Sequence, residues 1–145
     1  MNLAKDLSKQ APRSPRQRLG GYAVAARMID KGRAHFAGTV GEYHFDCPVD
    51  KILFEFKGIT AADLEPQLKS GATDDAIVGW LNGHGTPRSG AEAKEWSDKV
   101  EATLPAQNPD HAEWFAGECS RLGLDPKKTT LFDYLEADDR DTFKK

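Results

Sequence analysis

Long apolar runs are missing from this chain of 145 residues. No stretch approaches the roughly 20 apolar residues that span a bilayer. The N-terminal segment MNLAKDLSKQAPRSPRQRL holds no hydrophobic block of signal-peptide length, so the expected location is cytoplasmic and no membrane partner is expected. Cysteine is scarce, with only Cys47 and Cys119. In a reducing compartment both are expected as free thiols, Cys119 as a small buried hydrophobe. There is no Cys-x-x-Cys and no His-x-x-x-His pair, so no metal ligand set is assigned. A Gly-x-Ser-x-Gly elbow, a Walker loop and a dinucleotide fingerprint are absent too, and no cofactor is expected.

Large aliphatic and Phe side chains are few. Leu, Ile, Val and Phe make up 28 of the 145 residues, near the level at which chains fail to fold. Disorder also needs a high net charge, and here it is only -3, while 18 alanines add small apolar surface. A folded domain with a modest, Ala-rich core follows, of a size that suits one domain. Strand alternation is lacking outside TVGEYHF (39–45), and neither internal repeats nor low-complexity blocks occur.

What is present is helix punctuation. Ser14-Pro15-Arg16-Gln17 reads as a capped start with Pro at the first helical position, predicting a first helix from about residue 15 to the mid-30s. Leu19, Tyr22, Ala23, Ala26, Ile29 and Phe36 fall largely on one face of it. Gly20-Gly21 costs such a helix roughly 1 kcal/mol per glycine; close packing is the favoured reason, a bend or a ligand the alternatives. Further starts stand at Thr60 with Asp63, at Thr73, at Ser89 with Glu92, at Asn108-Pro109 and at Thr130; VDKILFEF closes at Gly58, and Gly123 ends its helix in a left-handed cap. The fourth helix turns Ala76, Ile77, Trp80 and Leu81 inward. The expected fold is all-α, a compact non-coaxial bundle of about seven short to medium helices. Residues 1–13 are expected as a flexible basic N-terminal arm and 14–145 as a single helical domain.

Charge is divided unevenly. Residues 1–35 carry eight basic and two acidic side chains, and the rest carry 12 basic and 21 acidic. A basic head on an acidic body either binds an anion or folds back on its own body. Residues 60–83 have a helix-turn-helix outline, but the second helix opens Thr73-Asp74-Asp75 and has no Lys or Arg up to Gly83. That is the wrong sign for phosphate, which excludes sequence-specific DNA binding through it.

The stretch GEYHFDCPVD (41–50) gathers titratable and aromatic residues and is stopped by Pro48. It directly follows a helix carrying Arg27, Asp30, Lys31 and Arg33, so Arg27 and Asp30 can meet Tyr43, His44, Asp46 and Cys47 folded over them. Those six residues are the candidate ligand-binding set, a polar pocket for a small charged ligand. Arg27–Asp30 and Asp30–Arg33 are also spaced for ion pairs along one helix. A tied loop that lids such a pocket is the favoured reading of 41–50. Cys47 with His44 beside it is the candidate nucleophile of the rival reading.

The segments PRSPRQRLGGYAVAARMIDKGRAHFAGTVGEYHFDCPVD and RLGLDPKKTTLFDYLEADDRDTF carry a resemblance to an uncharacterised bacterial family, domain of unknown function 5069, over almost the whole chain. The resemblance implies a standalone bacterial cytosolic protein and brings no activity, cofactor or catalytic residue. Three functions are therefore carried forward. The first is a non-catalytic module binding a small anionic ligand or a protein partner. The second is a small enzyme using Cys47 or His44 with Arg27 as anion anchor and Asp30 as orienter. The third is a homodimer or interaction unit with Trp80, Trp96 and Trp114 partly at its interface.

Overall fold

The structure is a computed structural model describing residues 3–144; Met1, Asn2 and Lys145 lie outside the described residues. It is all-α, as the sequence suggests. Among the described residues seven α-helices follow in order: α1 (Ala25–Ala37), α2 (Pro48–Lys57), α3 (Ala61–Lys69), α4 (Asp74–Gly83), α5 (Gly90–Glu101), α6 (Pro109–Leu122) and α7 (Leu131–Thr142). A 3-10 turn at Pro105–Gln107 precedes α6. Five helix starts have the expected side-chain caps, at Thr60, Thr73, Ser89, Asn108 and Thr130, each oxygen accepting an otherwise orphaned amide of the first turn. Gly58 and Gly123 close α2 and α6 in left-handed caps. No helix among the described residues is long and apolar enough to cross a membrane.

The first helix differs from its expected form. It begins at Ala25, ten residues late. Ser14 and Pro15 do start a turn, in which the Arg16 amide donates to Ser14 Oγ at 3.1 Å and the Gln17 amide to the Ser14 carbonyl at 3.1 Å. The chain then leaves helical geometry because Gly20 and Gly21 both take positive φ, 60° and 88°. Leu19 and Tyr22 exchange amide–carbonyl bonds of 3.1 and 3.0 Å across this hairpin-like turn. The glycine pair also serves close approach, as the sequence suggested, since a Cβ on Gly20 would collide with Val78 of α4. The turn feeds Tyr22, Ala23 and Val24 straight into the core, where all three are buried.

The helix that follows is buried all round rather than on one face: every residue from Ala25 to Ala34 is buried. Small residues permit this. At Gly32 an added Cβ would lie 2.6 Å from a methyl of Leu68 on α3, so the bare backbone lets α3 close in. Around α1 the main core joins Leu53 and Phe54 of α2, Leu64 and Leu68 of α3, Ile77 and Leu81 of α4, Val100 of α5 and Phe132 of α7. Each fully buried Leu, Ile or Phe contributes roughly 1.5–3 kcal/mol of hydrophobic stabilisation. Ala76, expected on the inner face of α4, is exposed. Trp80 and Trp96 pack partly buried against the core, Trp96 stacked on Phe56 with centroids 4.5 Å apart. A second cluster joins Phe115 and Cys119 of α6 to Tyr134 of α7, and Leu131 and Leu135 pack on both clusters.

The N-terminal stretch lies along this body from residue 3 onward. Leu7 is buried, and its amide donates to the Thr39 carbonyl at 2.8 Å. The basic head is spent on the acidic body: Arg16 meets Asp133 and Glu136, and Arg18 meets Asp98 and Glu101.

Candidate functional site

A helix buried on every side cannot leave charges unpaired, because an isolated ion in the interior is far too costly. Central helix α1 carries four buried charges, Arg27, Asp30, Lys31 and Arg33, and each has found a partner from elsewhere in the chain. Asp30 accepts the Arg13 amide at 2.8 Å and lies 3.0 Å from the Arg13 guanidinium and 3.2 Å from Lys5 Nζ. Arg33 reaches Asp74 at 3.0 Å and the Ala72 carbonyl at 2.9 Å. The expected pairing of Arg27 and Arg33 with Asp30 along the helix is thus replaced by longer-range partners, because the N-terminal stretch crosses α1 as a strap and brings Arg13 directly onto Asp30. The hydrogen bond from Arg13 also holds the Asp74 carboxyl below the ordinary carboxylate range.

The other face of α1 presents Arg27 and, four residues on, Lys31. Arg27 makes a bidentate pair with Asp139 near the end of α7, at 2.7 and 3.0 Å, with the two side chains 5% and 11% exposed. Tyr43 closes this pair from the loop. Its hydroxyl donates to Asp139 at 2.8 Å, its ring lies 5.5 Å from the guanidinium carbon, and Phe143 stacks on it at 6.4 Å. Burial, and then the bond to Asp139, push the Tyr43 phenol well above its usual range, so it acts as a donor and not as a base.

Beside them Lys31 enters the N-terminus of α2. Its Nζ lies 3.0 Å from Cys47 Sγ and 3.0 Å from Asp50 Oδ1, with Lys31 4% and Asp50 0% exposed. Cys47 is the N-cap of α2, Pro48 its first residue, and Cys47 and Asp50 form a capping box. Asp50 Oδ2 accepts the Asp46 amide at 3.0 Å and the Cys47 amide at 3.4 Å. Oδ1 has the ion contact with Lys31 but no aligned hydrogen-bond donor. Burial raises the Asp50 carboxyl above its ordinary range, against the pull of Lys31 and the two amides. Cys47 is thus a half-buried free thiol that sits beside an ammonium and at a helix N-terminus.

Of the six candidates from the sequence, Arg27 and Tyr43 meet over Asp139, and Cys47 sits in the adjoining cluster with Lys31 and Asp50. Asp30 is held by the strap, with Arg13 and Lys5. His44 and Asp46 are exposed, and Asp46 turns the chain with φ 62°, a conformation its short polar side chain tolerates. The loop therefore does fold across α1. Lys31, Asp50 and Asp139 were missing from the candidate set. Lys31 had a signal, its i+4 spacing from Arg27, and Asp50 had another, its place three residues after the N-cap. Asp139 had none. Among the described residues no group of three or more His, Cys, Asp and Glu side chains is arranged to hold a metal ion.

No curated protein matches the chain. The family model described as domain of unknown function (DUF5069) matches residues 9–141, nearly the whole length, and the chain belongs to that family.

Proposed function

We propose that this helical protein works through Cys47 as a nucleophilic thiol toward a small oxidant or electrophile. In this reading Lys31 supplies the cation that holds the sulfur, and Asp50 is the counter-charge that keeps Lys31 in place. The observation that carries it is the 3.0 Å approach of a buried lysine ammonium to a half-buried sulfur. It modifies the enzyme reading of the sequence, with Lys31 taking the part first considered for His44. A small anion at Arg27 is less favoured, because it has to displace the bidentate Asp139 carboxylate.

The test is the alkylation rate of Cys47 with iodoacetamide at neutral pH, resolved from Cys119 by peptide mapping. A free thiol is only a few per cent ionised there. The expected rate is about tenfold that of free glutathione. A rate no higher than glutathione's removes the thiol reading and leaves the non-catalytic module.

A protein partner or a second copy of the chain is the second reading. Its place of contact would be Trp114 on α6, a large apolar side chain that is 55% exposed. Self-association through that face predicts a concentration-dependent sedimentation coefficient that Trp114→Ala abolishes. A monomer throughout the accessible concentration range removes the homodimer.

A further inference from the structure

We propose that Lys31 and Cys47 are a modification site, joined under oxidising conditions by a covalent nitrogen–oxygen–sulfur bridge between Nζ and Sγ. The inference rests on the thiol reading above and deepens it by naming the oxidised product. Four features of the cluster carry it. The two reacting atoms are already 3.0 Å apart, a gap that a single oxygen atom spans. Lys31 is almost entirely out of water, and its nitrogen stands between the sulfur and Asp50 Oδ1, 3.0 Å from each. Asp50 Oδ1 stands 3.0 Å from the same nitrogen without an aligned donor of its own, which makes it the acceptor for the proton the ammonium must lose. Burial favours the protonated form of that carboxyl. Finally, the other thiol of the chain, Cys119, is fully buried in the second cluster with Phe115 and Tyr134, so no sulfur stands beside Cys47 to form a disulfide instead.

The chemistry closes with dioxygen as the oxidant. Once Lys31 has given one proton to Asp50, the neutral amine and the thiol each lose one hydrogen. The oxygen–oxygen bond breaks and one oxygen forms bonds to both nitrogen and sulfur. The other oxygen leaves as water with the two hydrogens. Nitrogen and sulfur are each oxidised by two electrons, and dioxygen takes up all four. Two equivalents of a dithiol reverse the step, returning amine, thiol and water. Such a bridge ties the middle of α1 to the N-terminus of α2 and removes the positive charge from Nζ, so oxidation changes both the rigidity and the charge of this cluster.

The experiment is mass spectrometry of the full chain, purified with reductant and then held in air-saturated buffer. The bridged protein is one oxygen heavier and two hydrogens lighter than the reduced chain. Trypsin then fails to cut after Lys31, and a cross-linked species joins residues 28–33 to residues 34–51. Dithiothreitol restores the ordinary peptides. Lys31→Arg keeps a cation but has no amine able to bridge, and Cys47→Ser has no sulfur; both are expected to lose the mass change entirely. Cys47 found as a sulfenic or sulfinic acid with normal cleavage after Lys31 overturns the bridge, as does an unchanged mass after full exposure to air. Alkylation of the reduced wild-type chain separates the two ideas. Fast alkylation with no bridge sinks the bridge alone, whereas slow alkylation sinks the thiol reading.

Discussion

Arg27→Ala is expected to destabilise the fold by about 3–5 kcal/mol, the cost of leaving one member of a buried ion pair without its partner. For a domain of this length that lowers the thermal midpoint by roughly 10 °C or more. The magnitude follows from the surroundings of the pair. Both side chains are nearly out of water, and the guanidinium and carboxylate meet in two hydrogen bonds of 2.7 and 3.0 Å. Removing the cation strands Asp139, whose remaining donor is the Tyr43 hydroxyl at 2.8 Å. An exposed pair would instead contribute about 0–1 kcal/mol. Urea unfolding followed by circular dichroism reads the difference directly. The double variant Arg27→Met with Asp139→Leu is expected to recover much of the loss, since two apolar side chains of similar bulk carry no stranded charge. Some deficit should remain, about 1–3 kcal/mol, because Tyr43 then has no acceptor. A single variant that loses less than about 1 kcal/mol would show that water reaches the pair and that the cluster is not a dry site.

How far these features were legible in the sequence depends on the distance over which each is decided. Helix starts at Thr60, Thr73, Ser89, Asn108 and Thr130 were legible because a cap is settled within four residues, by a side-chain oxygen and the amides just beyond it. The start of α1 was not. Ser14, Pro15 and Gln17 have the same local chemistry, but Ser14 also donates to Glu136 at 2.7 Å, and Arg13, Arg16 and Arg18 are drawn to carboxylates far along the chain. Those long-range pairs, with two left-handed glycines, hold the segment as a strap. The site divides in the same way. Arg27 and Tyr43 were legible as polar groups near one another, because the loop leaves the end of α1 directly. Their shared partner Asp139 is 112 residues from Arg27, and no periodicity in the sequence points to it. The uneven charge did carry information: the excess of cations at the front and of carboxylates behind it is the composition of a chain that closes on itself. The same composition suits binding an external anion, and it is the pairing of these cations with carboxylates of α4, α5 and α7 that separates the two.

Asp50→Asn is expected to move stability and reactivity in opposite directions. The amide keeps an oxygen for the Asp46 and Cys47 amides, so the start of α2 survives. It removes the only carboxylate within 4 Å of the Lys31 ammonium among the described residues, and a buried cation is left beside the Cys47 sulfur. Breaking a buried pair in this way costs about 3–5 kcal/mol, less whatever the remaining contact with the sulfur retains. The net loss expected in urea unfolding is therefore about 2–3 kcal/mol. In the wild-type chain Asp50 and Cys47 compete for one cation; with the carboxylate gone, Lys31 serves the sulfur alone, and Cys47 should alkylate several-fold faster at neutral pH. The air-oxidised bridge should become rarer, because nothing remains beside Nζ to take its proton. A purely structural cluster predicts something simpler: the variant loses stability, and Cys47 reacts only as its looser packing allows, equally well in Lys31→Met. Faster alkylation in Asp50→Asn but not in Lys31→Met therefore separates a charge relationship from loosened packing. If the two variants alkylate alike, Lys31 does not act on the sulfur, and the chemical role assigned to this cluster falls even though its ion pair still holds α1 to α2.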